Sequence, residues 1–185
     1  LVLQPGDVFS YNDTLGERTE EKGYQLGPSY VNGEVVQEIG GGICQVSSTL
    51  YNCVLTADLE VLERENHMFY PGYVDPGLDC AVNWGTLDFR FRNSSGHAIR
   101  IEASLDGYNV TIKLLSTDDK DYYVKMEYDI LRTYDFNTYY RDLDEDNAEG
   151  YRNGDTIVDG VEGYYVETYR CRYDKETNAL RTRVY

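Results

Sequence analysis

A cysteine stands where a glycine run opens into a helical pattern, in Gly40-Gly41-Gly42-Ile43-Cys44-Gln45-Val46-Ser47-Ser48-Thr49-Leu50-Tyr51-Asn52. Helix starts carry unpaired backbone N–H groups and the positive end of the helix dipole, and both favour a thiolate there. The thiolate is the form that attacks carbonyl carbon. Such a nucleophile needs a base that takes or shares its proton, and a third group that orients the base. Of the two histidines, His97 falls in Asn93-Ser94-Ser95-Gly96-His97, a turn, which leaves His67 as the base. Asp79, in Gly77-Leu78-Asp79, opens the next strand and is the orienting acid, with Asp75 as the alternative.

Developing negative charge on a substrate oxygen would be met by Gln45 or by the amides of Gly42 and Cys44, with Gln37 a weaker donor. Gly41, Gly42, Gln45, Ser48 and Tyr51 are the candidate binding residues around this start. A plainer reading runs beside this one: the glycines permit close backbone packing, Cys44 is buried, and His67 bonds only to its loop. Ser47, Ser48 and Thr49 read as helix hydroxyls that satisfy backbone groups rather than as nucleophiles. Cys44, His67 and a second cysteine are a conceivable zinc set but lack short ligand spacings, so no metal and no cofactor is assigned. The acidic run Asp142-Leu143-Asp144-Glu145-Asp146-Asn147 lacks the glycine and closing glutamate of an EF-hand and reads as a solvated loop rather than a calcium site.

The elements that must position these groups follow from periodicity. Apolar residues at Val46, Leu50, Cys53, Val54 and Ala57 predict one helix from Cys44 to about Leu59, with that stripe facing the core. At this spacing Cys53 lies within the stripe, and Cys44 shares the opposite face with Ser48, Tyr51 and Leu55. Residues 1–39 read as short strands and turns, with Asn32-Gly33 as a two-residue hairpin signal. Strands are expected around 81–84, 87–91, 99–103 and 110–115, the last two joined at Asp106-Gly107. The fold class is α+β: one principal helix packed on an antiparallel sheet, followed by a small all-β module.

A boundary is expected near Ser116-Thr117-Asp118, dividing 1–117 from 118–185, because 12 of the 19 tyrosines fall from Asp118 onward. Alternation in 161–169 and a strand ending at Val184-Tyr185 support the all-β reading. The tyrosines are explained mainly as packing on a two-faced sheet, with stacking on sugar rings the second reading.

The helix-start motif, with Pro5-Gly6-Asp7-Val8-Phe9-Ser10-Tyr11-Asn12, Leu15-Gly16, Arg18-Thr19, Gly23-Tyr24, Glu63-Arg64, His67, Gly77-Leu78-Asp79 and Asp88-Phe89-Arg90-Phe91-Arg92-Asn93, resembles the VanW family over roughly residues 2–115. The resemblance implies a bacterial cell-envelope protein associated with glycopeptide resistance, often joined to wall-binding or transpeptidase modules, with no settled activity. Tyr139-Tyr140-Arg141-Asp142 and the stretch 160–170 loosely resemble a G5 domain, an extracellular module of glycan-bearing surfaces. In arrangement only, the order Cys, His, acid is similar to papain-like and transglutaminase-like folds.

Composition sets limits. The chain has 185 residues, 41% of them hydrophobic, enough for a sizeable core. Seventeen basic against 33 acidic residues give a net charge of −16, which excludes a phosphate backbone as partner. No apolar run approaches the ~18 residues of a membrane helix, and any signal or anchor is expected upstream of Leu1. Four cysteines, at 44, 53, 80 and 171, form no dense framework. Cys44 and Cys53 would lie about 13.5 Å apart along the helix, beyond disulfide reach. Cys53–Cys80 stays open beside the reading of both as buried thiols.

Three functions compete: an envelope enzyme whose Cys44 attacks amides or esters of peptidoglycan stem peptides, a non-catalytic module binding a carboxylate or sugar of the wall, and a structural partner of other envelope proteins. The expected location is extracellular or cell-envelope associated.

Overall fold

A computed structural model of the chain describes residues 1–31, 34–140, 142, 150–157 and 159–185. It is mixed and mostly β, with one main helix and several small antiparallel sheets. In chain order the elements are β1 (Val2–Leu3), β2 (Val8–Ser10), α1 (Tyr11–Leu15), a 3₁₀ turn (Glu20–Lys22), β3 (Leu26–Val31), β4 (Glu34–Ile39) and α2 (Ile43–Thr56). Then come β5 (Glu60–Glu63), β6 (Arg90–Arg92), β7 (Ile99–Asp106), β8 (Asn109–Leu115), β9 (Tyr122–Tyr134), β10 (Gly163–Asp174) and β11 (Leu180–Val184). Among the described residues no helix is long and apolar enough to cross a membrane.

Where one antiparallel sheet was expected up to residue 117, the strands form three, with orders β1-β7-β8, β2-β6-β5 and β3-β4; β11-β10-β9 forms a further sheet after it. In β3-β4, Val31 lies opposite Glu34, the spacing of a two-residue connection; Asn32 and Gly33 themselves lie outside the described residues. Most of the acidic run 142–147 also lies outside them. The β7-β8 hairpin closes with Asp106 opposite Asn109, so its connecting pair is Gly107-Tyr108, one residue later than expected. The strands expected at 81–84 and 87–91 shrink to bridges at Ala81 and Asn83, followed by the three-residue β6. Residues 78–82 spend their backbone groups on helix side chains, which leaves them little for a strand neighbour.

The core is built where α2 lies over these sheets: Phe9, Phe89 and Phe91 pack ring to ring, and Leu50, Tyr51, Val54, Leu59 and Ile99 close around them. Both long sides of α2 are covered. This corrects the expected division of the helix into a core stripe and an opposite free face. Ser48, Tyr51 and Leu55, on Cys44's side, are buried, whereas Cys53 is only half-buried and rests its thiol against the Ile112 carbonyl at 3.5 Å. Small serines hidden under a crossing strand look polar to a hydropathy count, so the buried arc is wider than the apolar one. All four cysteines are free thiols.

The helix ends in a Schellman turn, Leu59 N–H to Val54 C=O at 3.1 Å and Asp58 N–H to Leu55 C=O at 3.0 Å. Asp58 takes the left-handed position at φ 60° that glycine usually fills. Its buried carboxylate accepts from Arg172 Nε at 2.8 Å, Arg170 Nη1 at 3.1 Å and Tyr122 Oη at 2.7 Å. Burial alone would raise its pKa, but these hydrogen bonds and cations hold it below the usual carboxylate range. Asp58 thereby fastens β9 and β10 to the end of α2. Asp58→Gly, which suits the backbone but removes the carboxylate, is expected to cost about 2 kcal/mol by leaving two half-exposed arginines unpaired. Urea denaturation should read that loss, and hydrogen exchange should quicken first in β9 and β10.

Candidate functional site

Residues 78–82 run in extended form along the first half of α2, and the helix grips them through four polar side chains on one side. Val82 N–H reaches Cys44 Sγ at 3.5 Å, and the thiol points to Val82 C=O at 3.4 Å. Ser47 Oγ donates to Cys80 C=O at 2.6 Å, Ser48 Oγ accepts from Cys80 N–H at 2.9 Å, and Asn52 Nδ2 donates to Leu78 C=O at 2.8 Å. Alternate residues of an extended strand and successive turns of a helix rise by similar amounts, which lets the two run in step. Ser48 also bonds Cys44 C=O at 2.7 Å, and Thr49 bonds Gln45 C=O at 2.7 Å. These hydroxyls satisfy backbone.

This strand delivers Asp79 to the side of His67. Ala81 N–H bonds Glu65 C=O at 2.8 Å, pairing 64–67 with 79–81. Asp79 Oδ2 then meets His67 Nδ1 at 2.7 Å and His67 N–H at 2.6 Å. Its other oxygen takes Arg64 Nη2 at 3.0 Å, while Arg64 also spans Asp79 C=O at 2.7 Å and Gly77 C=O at 3.0 Å. Tyr51 supports that guanidinium from below, its ring centroid 5.2 Å from Arg64 Cζ. Burial would push Asp79 up; hydrogen bonds from His67 and the charge of Arg64 keep it low. The Cys44 side chain also acts on the imidazole, favouring its positive form. Burial opposes that form, yet the hydrogen bond to Asp79 and the influence of Cys44 outweigh burial and raise the His67 pKa to about 9.

Asp79 thus fixes the His67 ring through Nδ1, while the Cys44 thiol has its hydrogen bonds with the Val82 backbone. Asp75 stays exposed and only caps Leu78 N–H. His97 pairs with Asp119 at 3.2 Å on the surface. Gln37 lies opposite Pro28 in β3-β4. Gln45 is exposed, with its amide on Gly42 C=O at 3.2 Å; Ser48 and Tyr51 are buried inside the framework. Gly42 caps α2 at φ +87°.

Gly41 is pressed against the Gly27 backbone, where any Cβ would sit far inside contact distance of the Gly27 carbonyl. Gly41→Ala is accordingly expected to cost about 3 kcal/mol by forcing the loop off the β3-β4 hairpin. Thermal denaturation measures this, and Cys44 labelling should change with it because the helix start moves.

Sequence reasoning missed three participants. Arg64 appeared only within a motif. Tyr73 places its hydroxyl 3.3 Å from His67 Nε2 and its ring edge-on to the imidazole, but the turn-rich loop gave no contact signal. Val82 acts through its backbone, which no side-chain type announces. Two surface concavities, about 420 Å³ beside Ile101, Ser104 and Lys113 and about 270 Å³ beside Thr56, Ser116 and Tyr122, are lined by none of Cys44, His67 or Asp79.

The fold is a mostly β unit with one main helix, at whose start Cys44 lies near a histidine held by an aspartate. The chain belongs to the VanW family: a family model described as VanW like protein matches residues 1–115. It is 45% identical over 117 residues to the uncharacterized protein YoaR of Bacillus subtilis, covering 63% of this chain and 39% of that protein. It is 27% identical over 112 residues to the vancomycin B-type resistance protein VanW of Enterococcus faecalis, covering 57% of this chain and 40% of that one. The matches span about two fifths of the length of these relatives. No solved structure matches.

Proposed function

We propose that this chain is a cell-envelope module in which Cys44 attacks amide carbonyls of peptidoglycan stem peptides, with His67 as acid and base and Asp79 orienting it. One observation carries the reading: Asp79 holds the His67 ring through Nδ1, and the Cys44 side chain lies within electrostatic reach of that imidazole. Membership in a family with a relative named for vancomycin resistance supports the wall as its setting, outside the cytoplasmic membrane.

The Cys44 sulfur bonds to the carbonyl carbon and the carbonyl electrons move to oxygen, facing the leading N–H groups of α2. Protonated His67 then gives its proton to the departing amine as the C–N bond breaks. Water, or an acceptor amine, attacks the thioester; His67 takes its proton and the sulfur leaves. Hydrolysis and transpeptidation differ only in that second nucleophile.

A non-catalytic wall-binding module is the second reading, with residues 118–185 as a small Tyr-rich, G5-like adhesion or spacer unit. The grip of Val82 on the sulfur and the Tyr73 hydroxyl at Nε2 favour it. Incubating purified muropeptides with the protein and with Cys44→Ala, followed by mass spectrometry, separates the two. New cleaved or cross-linked species made only by the parent protein support the enzyme; identical muropeptide profiles support the binder.

A further inference from the structure

Arg18 has two buried nitrogens that no acceptor among the described residues meets. It lies in the irregular connection 16–19 between α1 and the 3₁₀ turn, its stem against Gly40, where a Cβ would meet the Arg18 Cβ at 3.0 Å. Its Nη1 donates to Asn12 Oδ1 at 2.7 Å. Asn12 is itself locked, its Nδ2 giving to Asn83 C=O at 3.1 Å and Leu87 C=O at 2.9 Å. The two remaining nitrogens, Nε and Nη2, are shut from solvent and have no hydrogen-bond partner. Among the described residues no carboxylate pairs with this guanidinium, although acids outnumber bases 33 to 17 in the chain.

Nε and Nη2 form the edge of a guanidinium that presents two parallel N–H bonds, the geometry that fits a carboxylate. Burying these two donors without a protein acceptor is costly. Arg18 is also linked to the helix start through Tyr11. Arg18 Cζ lies 5.5 Å from the Tyr11 ring centroid, and the Tyr11 hydroxyl at the far side of that ring bonds Ile43 C=O, one residue before Cys44, at 3.4 Å. An extended peptide advances about 3.4 Å per residue, so a few residues bridge the two.

We propose that the Nε–Nη2 edge of Arg18 is the anchor for the C-terminal carboxylate of a short peptide whose chain runs past Tyr11 to Cys44. It rests on the reading of Cys44 as the reacting group for the direction of the peptide, but not for the anchor itself. Displacement of the 16–19 connection admits the carboxylate, which then supplies the two acceptors the edge lacks.

The probes are N-acetyl-alanyl-alanine with a free carboxylate and the same dipeptide as its C-terminal amide, in L,L and D,D forms, added to the intact chain. Binding is read by calorimetry on the parent protein, Cys44→Ala, Arg18→Lys and Arg18→Gln; Arg18→Lys keeps a cation where Arg18→Gln impairs folding. The expected result is that the free carboxylate form binds at least about tenfold tighter than the amide, that Cys44→Ala keeps this preference, and that Arg18→Lys loses it with the bidentate edge. Equal binding of the two forms, no binding of either, or a preference that survives in both Arg18 variants overturns the anchor. A carboxylate preference alongside a Cys44 that is inert in labelling leaves the anchor standing and removes the nucleophile. The reverse pair of results does the opposite.

Discussion

Iodoacetamide at pH 7 is expected to label Cys44 first among the four cysteines, and His67→Ala is expected to slow that labelling by at least about tenfold. Cys80 is fully buried, with burial pushing its thiol up to about 12. Cys53 is raised by burial, as is Cys171, whose surface is closed by the sheet around it. Among the four, only Cys44 sits at a helix start and acts on the His67 imidazole. His67 holds its proton up to about pH 9, so below that value the sulfur has a cation beside it, and above it the cation is gone. The labelling rates of the parent and His67→Ala should therefore differ most near pH 7 and converge above about pH 9. Mass spectrometry of the alkylated peptides, taken against pH, gives each rate separately.

Asp79→Asn should produce the second large effect, because one side chain ends three hydrogen bonds at once. In the parent, Asp79 receives the His67 ring, the His67 amide and Arg64, with its own side chain 7% exposed. The amide substitution keeps shape but removes the charge, leaving the Arg64 guanidinium, 21% exposed, opposite a neutral group. Breaking a buried ion pair from one side costs about 3–5 kcal/mol, and urea denaturation should show a loss of that order.

The substitution should also change how stability depends on pH. The folded-state value of about 9 for His67 lies above the unfolded one, so its contribution is complete below about pH 6.5 and is lost as pH rises through 9. The parent protein should lose up to about 3 kcal/mol across that window. Asp79→Asn should flatten the curve, since the largest hydrogen bond supporting the imidazolium is gone. A parent protein equally stable at pH 6 and pH 10 would contradict the coupling between these groups.

Local signals carried much of the fold. The glycine run announced a helix from Cys44, and the helix begins at Ile43, capped by Gly42 in a left-handed conformation. The two-residue spacing around Asn32-Gly33 and the Asp106-Gly107 pair both marked hairpins, because turn chemistry is decided by neighbours in sequence. The strand β9 escaped notice: its partner β10 lies some thirty residues on, and its exposed half shows no clean alternation. Asp58 escaped too, since an aspartate in place of a Schellman glycine gives no sign of the two arginines that will reach it from β10.

The candidate site divides along the same line. Cys44, His67 and Asp79 were singled out by residue type and order, and His67 and Asp79 are hydrogen-bonded to each other. What residue type could not convey was the framework that brings them together. Ser47, Ser48 and Asn52 hold 78–82 to the helix, and the Glu65–Ala81 bridge sets Asp79 beside His67. Arg64 and Tyr73 come from the neighbouring segment and close the ring of contacts. Confining the core side of α2 to its apolar stripe also hid the second covered face. Their hydrogen bonds run to a strand backbone that no periodicity reveals.

The most direct test of Cys44 as a nucleophile is its acylation by an activated ester, p-nitrophenyl acetate, followed by intact-mass measurement with peptide assignment. A single acetyl group on Cys44, formed with a burst of p-nitrophenol and lost or strongly slowed in His67→Ala, is the result expected. Acetylation that is absent, that is spread over lysines and tyrosines, or that proceeds equally without His67 would contradict a cysteine–histidine nucleophile and leave the helix start a binding or structural feature.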